Sequence, residues 1–223
     1  MDFQKIKAVI FDLDGTLLDT LADIGTGANF ALCQFGYATY PLESYRKMIG
    51  HGVKHLFRKA LPAGSTEADV DKVNKVYQSY YPEHCTVYTS YFPGVLEFIE
   101  KVKGKGLPMA VISNKTETTG KKVMAHYFPD VDWAFVWGND GHRPLKPSKD
   151  AGYLACEVLG LLPEEIVYVG DGDTDMEFAS AMGFVAAGVT WGNRTAEQLK
   201  AAGADFLADS FEELYEILFS GTN

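Results

Sequence analysis

The sequence predicts an α/β protein, a doubly wound, Rossmann-like parallel sheet with an inserted α-helical cap. Short apolar runs recur along the chain and end in small or acidic residues, as strands buried on both faces do. Segments with helical spacing separate these runs, which is the alternation that builds a parallel sheet. The stretch between Thr20 and Tyr88 breaks the alternation and holds helical spacing only.

In chain order, the strand-like runs are KAVIFD (7–12), PMAVIS (108–113), WAFVW (133–137), IVYVGD (166–171) and FVAAGV (184–189). Helical spacing fills 93–103, 117–128, 148–159, 175–182 and 194–202. Within the interrupting stretch, Ile24, Ala28, Ala31, Leu32 and Phe35 mark one helical face, and Val53, Leu56, Phe57 and Ala60 mark another. Gly36, Pro41, Gly50, Gly52, Pro62 and Gly64 punctuate it into about four helices. It leaves after the first strand and returns just before Phe92-Pro93-Gly94, so it is expected over the carboxyl ends of the strands, where open α/β sheets place ligands. The expected division is a core of residues 1–18 and 89–223 and a helical cap of 19–88. Trp133, Phe135 and Trp137 alternate at strand period and are expected on one core-facing side.

Composition narrows the function. The 223 residues carry 20 Lys and Arg against 30 Asp and Glu, a formal charge of −10 that repels nucleic acid and anionic membranes. A small anionic substrate remains compatible, because a metal ion or a few placed cations reverse the field inside one cleft. Cys33, Cys85 and Cys156 are far apart and lack a C-x-x-C spacing, which indicates neither a disulfide framework nor a zinc site. The opening MDFQKIKAVIFDLDG meets two aspartates almost at once, so it suits a buried strand and not a signal peptide. The expectation is a cytoplasmic protein, monomer or homodimer, with no nucleic-acid or membrane partner.

Chemistry concentrates at strand ends. Asp12 closes the first strand, and Asp14, Gly15 and Thr16 follow in the turn. Ser113 and Asn114 end the second core strand, Lys146 precedes Pro147 at the mouth of a helix, and Asp171 and Asp175 follow IVYVG. These residue types suit phosphoryl transfer. A phosphate dianion about 4 Å from the Asp12 carboxylate is repelled by roughly 8 kcal/mol at an effective dielectric of 20. Cancelling that repulsion is the task of the site. Carboxylates from Asp12 and Asp171 with a backbone carbonyl are hard oxygen ligands of the kind Mg²⁺ prefers. Lys146 adds a second positive charge, and the Ser113 and Thr16 hydroxyls can hold equatorial phosphate oxygens.

With DLDGT (12–16), SNK (113–115), KP (146–147) and GDGDTD (170–175) in this order, the sequence resembles the haloacid dehalogenase superfamily over nearly its whole length. IGHGVKHLFRKAL (49–61), YYPEHC (80–85), FPGV (92–95) and GVTWG (188–192) resemble its phosphoglycolate phosphatase branch. The resemblance implies that Asp12 is the nucleophile and Asp14 the general acid and later the base. It implies a Mg²⁺ site made by Asp12, the Asp14 carbonyl and Asp171, with Asp175 orienting the metal waters, and phosphate binding by Thr16, Ser113, Asn114 and Lys146. Gly172 stands where relatives often carry Ser, and Lys149 where many have Pro.

The activity so implied is Mg²⁺-dependent hydrolysis of a small phosphomonoester, foremost 2-phosphoglycolate. Another small-metabolite phosphatase, a pyrophosphatase, a β-phosphoglucomutase-like mutase and an inert binding module are the alternatives. Substrate choice is expected in the cap, at Gly50-His51-Gly52, where His51 or Lys54 would meet a substrate carboxylate.

Overall fold

The structure is a computed structural model that describes residues 5–220. The chain opens on β1 (Ala8–Phe11), followed after a tight turn by the two-residue β2 (Leu18–Asp19). Three helices come next: α1 (Leu21–Cys33), α2 (Val53–Ala60) and α3 (Glu67–His84), with a 3-10 turn at Leu42–Lys47 between the first two. The third helix starts where the sequence supplies a reciprocal cap. Asp69 donates its N–H to the Thr66 hydroxyl at 3.3 Å and accepts the Thr66 N–H at 2.9 Å. Its Val70, Val73, Tyr77 and Tyr81 recur at helical spacing and are all buried, forming the stripe that packs the helices together.

The return is β3 (Ser90–Tyr91), which pairs antiparallel with β2, so both ends of the helical insert are tied in one small ribbon. Asp23 reinforces the tie. Its buried carboxylate accepts the N–H groups of Tyr88 and Thr89, each at 2.9 Å, and the Thr89 hydroxyl at 2.7 Å.

The remaining chain alternates α4 (Val95–Gly104), β4 (Met109–Thr116), α5 (Glu117–Tyr127), β5 (Val136–Asn139), α6 (Asp150–Leu159), β6 (Ile166–Gly170), α7 (Asp173–Met182), β7 (Val185–Val189), α8 (Ala196–Ala201), β8 (Phe206–Ala208) and α9 (Phe211–Tyr215). The main sheet runs β5-β4-β1-β6-β7-β8, with every neighbouring pair parallel. Its two faces follow from the strand period of two. Val9, Phe11, Val111, Val167 and Val169 pack into one apolar layer with α4, α5 and α9; Ala8, Ile10, Ala110, Ile112, Ile166 and Tyr168 pack into the other with α6, α7 and α8. Burying each Val, Ile or Phe contributes roughly 1.5–3 kcal/mol.

Two expectations change. The strand expected at 133–137 is β5, displaced to Val136–Asn139, and its aromatics do not share a side. Trp133 packs edge-on against Phe11 and Phe128 in the first layer, whereas Phe135 and Trp137 stack on each other beside the second. The chain is irregular before residue 136, so strand alternation does not apply to Trp133. The edge strand β8 was not anticipated, because its three residues are too few to show a period. Among the described residues no helix is long and apolar enough to cross a membrane.

Candidate active site

The chain runs from β1 outward to β4 and β5, then returns to β6 on the other flank of β1. The segments after β1, β4 and β6 therefore converge where the strand order reverses, which is where open α/β sheets form crevices. Asp12 and Asp171 follow β1 and β6, whereas Ser113 and Asn114 lie within β4, which runs on to Thr116 instead of ending at them as expected, and Lys146 arrives from the segment before α6.

Lys146 is the hub. Its Nζ lies 2.8 Å from Asp12 Oδ1, 2.7 Å from Asp175 Oδ1, 2.6 Å from Tyr168 OH and 2.9 Å from the Ile112 carbonyl. Three ammonium protons thus face four oxygens, which fixes the side chain firmly. Burial pulls its pKa down, but the carboxylates of Asp12 and Asp175 outweigh burial and hold it above the ordinary lysine value. Asp12 Oδ1 is pinned by this contact, whereas Oδ2 accepts no hydrogen bond from a described residue. Asp175 has both oxygens committed, since Oδ2 takes the Gly172 N–H at 2.9 Å.

Asp171 is held from two sides. Oδ1 accepts the Thr16 hydroxyl at 3.0 Å, and Oδ2 accepts the backbone N–H and side-chain amide of Asn193 at 2.7 and 2.8 Å. The packing here leaves no room for a side chain at Gly15, whose φ is +89°. A Cβ would lie 2.3 Å from Asp171 Oδ2 and from Asn193 Nδ2.

Asp12, Asp171 and Asp175 are buried, and each offers an oxygen within 4.8 Å of the others. Burial lifts the Asp12 carboxyl to about 6 against the pull of Lys146. Burial, then the charges of Asp175 and Asp12, lifts Asp171 to about 7. The protein's own cations thus leave two of these acids difficult to ionise. A divalent cation fits that deficit, and the donors are the hard oxygens such an ion takes.

Asp14 stands across the cavity from this cluster. Its Oδ1 accepts both the Thr20 hydroxyl and Lys115 Nζ at 2.8 Å, and its Oδ2 accepts nothing from a described residue. Lys115 also donates to Tyr81 OH at 2.7 Å. Burial draws the Lys115 pKa down, and the Asp14 charge more than restores it. Asp12, Asp14, Ser113 and Lys115 line a cavity of about 60 Å³, roofed from the insert by residues that include Leu56 and Tyr81.

Four residues expected at the substrate are occupied elsewhere, Lys146 among them, since its ammonium protons go to the four oxygens named above. The fully buried Thr16 spends its hydroxyl proton on Asp171. Asn114 donates its side-chain amide to the Gly50 and Lys146 carbonyls at 2.8 and 3.1 Å and accepts the Lys146 N–H at 2.8 Å, leaving that amide nothing for a phosphate. His51 does not line the Asp12 cavity. It sits 3.6 Å from Asp173 and stacks on His55 beside a second cavity of about 520 Å³, which Lys54 also lines. Gly50 and Gly52, its neighbours, do reach the Asp12 cavity, and Gly52 borders both.

The family model for haloacid dehalogenase-like hydrolases matches residues 9–189. The chain belongs to that family. Its relatives include the phosphoglycolate phosphatase of Chromobacterium violaceum, 31% identical over 99% of this chain and 100% of that one. The phosphoglycolate phosphatase of Aquifex aeolicus is 33% identical over 84% of this chain and 86% of its own. Among solved structures, a haloacid dehalogenase-like family hydrolase from Streptococcus pneumoniae superposes with a TM-score of 0.86 over 96% of this chain and 99% of its own, at 22% identity. A predicted phosphoglycolate phosphatase from Haemophilus somnus gives 0.88 at 25% identity, covering 96% and 98%.

This haloacid dehalogenase-like hydrolase adds residues to the site that sequence reasoning had not assigned. Lys115 belonged to the SNK motif without a role of its own, and Tyr168 was visible only as a hydroxyl in an otherwise aliphatic strand. Asn193 and Arg194 carry no local signal, since their partners lie more than twenty residues away in the chain or in the insert.

Proposed function

We propose that this hydrolase removes phosphate from small phosphomonoesters, with Mg²⁺ as its metal, Asp12 as nucleophile, 2-phosphoglycolate as foremost substrate and the cytoplasm as its place of work. One observation carries the reading: Asp12 lines the cavity with Oδ1 anchored by Lys146 and Oδ2 uncommitted, an attacking oxygen aimed by its partner. The relatives named phosphoglycolate phosphatase support the choice of substrate.

The Asp12 and Asp171 carboxylates and the Asp14 carbonyl would hold Mg²⁺, with Asp175 behind them; when bound, it offsets the negative charge of phosphate and carboxylate. The Ser113 hydroxyl, whose oxygen already accepts the Lys115 N–H at 3.3 Å, holds a phosphate oxygen, and Lys146, its protons committed to its own partners, acts through its charge and its hold on Asp12. Asp12 Oδ2 attacks phosphorus, the bond to the ester oxygen breaks, and the departing oxygen takes a proton from Asp14 Oδ2. Asp14, now ionised, removes a proton from water, which attacks the phosphorus of phospho-Asp12 and releases inorganic phosphate with the Asp12 carboxylate restored. Thr16 and Asn114 act one step back, the first on Asp171, the second on Lys146 and the Gly50 carbonyl.

Residues 19–88 serve as the cap, and 1–18 with 89–223 as the core. The ribbon of β2 and β3 and the Asp23 contacts support a hinge at this boundary. The test is kcat/KM with Mg²⁺ for 2-phosphoglycolate, other phosphomonoesters and pyrophosphate, beside Asp12→Asn. The expected result is a clear lead for phosphoglycolate and a fall of at least about 10⁴-fold in the variant. Phosphate release undiminished in Asp12→Asn overturns the reading.

A further inference from the structure

Lys115 holds a charge that the Asp14 contact does not exhaust. Its side chain is 5% exposed, and its ammonium spends one proton on Asp14 Oδ1 at 2.8 Å and one on Tyr81 OH at 2.7 Å. The third proton has no acceptor among the described residues. Among the residues lining the Asp12 cavity, Lys115 is the only Lys, Arg or His. The insert side of that cavity presents Ile24, Ile49, Val53 and Leu56 with Gly50, Gly52, Tyr77 and Tyr81 beside them, and no charged side chain that could pair an anion.

We infer that Lys115 selects the leaving group, its third proton receiving the carboxylate of a phosphorylated 2-hydroxy acid; this rests on the phosphatase reading above. The distances suit a short acid. The ester oxygen takes its proton from Asp14 Oδ2, and Lys115 is bonded to Oδ1 of the same carboxylate, so Nζ lies within two hydrogen-bond lengths plus the width of the carboxylate, roughly 8 Å at most, of the ester oxygen. In a two-carbon acid the carboxylate begins one carbon beyond the ester carbon, inside that reach. A neutral leaving group leaves the ammonium proton unanswered, and a site built to pair a charged group discriminates strongly against analogues that lack it. His51, on the second cavity, has no part in this selection.

The experiment compares kcat/KM for 2-phosphoglycolate, ethyl phosphate and the phosphate ester of glycolamide, in the wild-type chain and in Lys115→Met and Lys115→Arg. The wild-type chain is expected to favour the acid over both neutral esters by about 100-fold or more. In Lys115→Met that preference collapses towards unity, mainly through KM for phosphoglycolate, and Lys115→Arg retains part of it. Equal losses on all three esters would mean that Lys115 acts only through Asp14, and would overturn the inference. The glycolamide ester makes the test independent of how the variants fold: wild-type turnover of it equal to that of the acid also overturns the inference. The two readings separate cleanly. A wild-type preference for a longer hydroxy acid removes phosphoglycolate as substrate and keeps Lys115, whereas a phosphoglycolate preference that survives Lys115→Met does the reverse.

Discussion

Arg194 Nη2 donates to the Ile49 carbonyl at 3.0 Å, so the loop after β7 grips the insert directly beside Gly50. Nη1 reaches the Arg46 carbonyl at 2.7 Å, and Nε lies 3.2 Å from Asp173. The neighbouring Asn193 holds Asp171. One short loop therefore touches both the carboxylate cluster and the roof of the cavity.

Replacing Arg194 with alanine is expected to loosen the roof without unfolding the core. Each hydrogen bond from a charged donor contributes about 1.5–3 kcal/mol when fully formed, so loss of the grip should lower kcat/KM by about tenfold or more. Steady-state kinetics with a thermal melt checks this, and the melting temperature should move by only a few degrees.

Tyr168→Phe removes one acceptor from Lys146 and one donor to the Ile112 carbonyl, from which Tyr168 OH is 2.7 Å. Leaving these buried groups short of a partner costs about 1–3 kcal/mol of stability. The less firmly held Lys146 should lower kcat by about tenfold while KM changes less. Chemical denaturation and kinetics report the two effects separately.

Metal-free protein should lose stability as pH rises. Asp12 and Asp171 titrate at about 6 and about 7 in the fold, both above their ordinary value of 3.8. Between these limits the folded state binds more protons than the unfolded chain, so the slope of stability against pH is negative. The stabilising protonation is complete below about 4 and lost by about 7 to 8. A melt in chelator at pH 5 should therefore exceed one at pH 8. Added Mg²⁺ should raise the pH 8 value most, because the ion competes with those protons.

Phe98→Ala tests the layer beneath the site. The ring is buried and packs against Phe11 with centroids 6.0 Å apart and against Phe211 at 5.4 Å. A loss of about 3–5 kcal/mol in unfolding free energy is expected from the cavity left behind.

Much of the site was legible in the sequence because its pieces are local. An apolar run ending in Asp12 marks both the strand and the carboxylate that follows it, and the same holds for Asp171. Periodicity reports burial on one chain segment, so it located β1, β4, β6 and β7 and the helical insert. It failed at Trp133 and β8, where the regular segment is absent or only three residues long. His51, expected at the substrate from its glycine-flanked turn, instead meets Asp173 and His55, because which way a residue points from such a turn depends on what packs against it.

By itself, then, the sequence determined the α/β alternation, the helical insert and the carboxylates and lysine that meet at the strand ends. Tertiary structure alone decided how those groups divide their bonds. Lys146 settles between Asp12 and Asp175, Thr16 and Asn193 are drawn to Asp171, and Lys115 faces the cavity beneath the insert. The physical reason is that a buried polar group must find its partners wherever the packed elements bring them, and those partners lie up to 155 residues away in the chain.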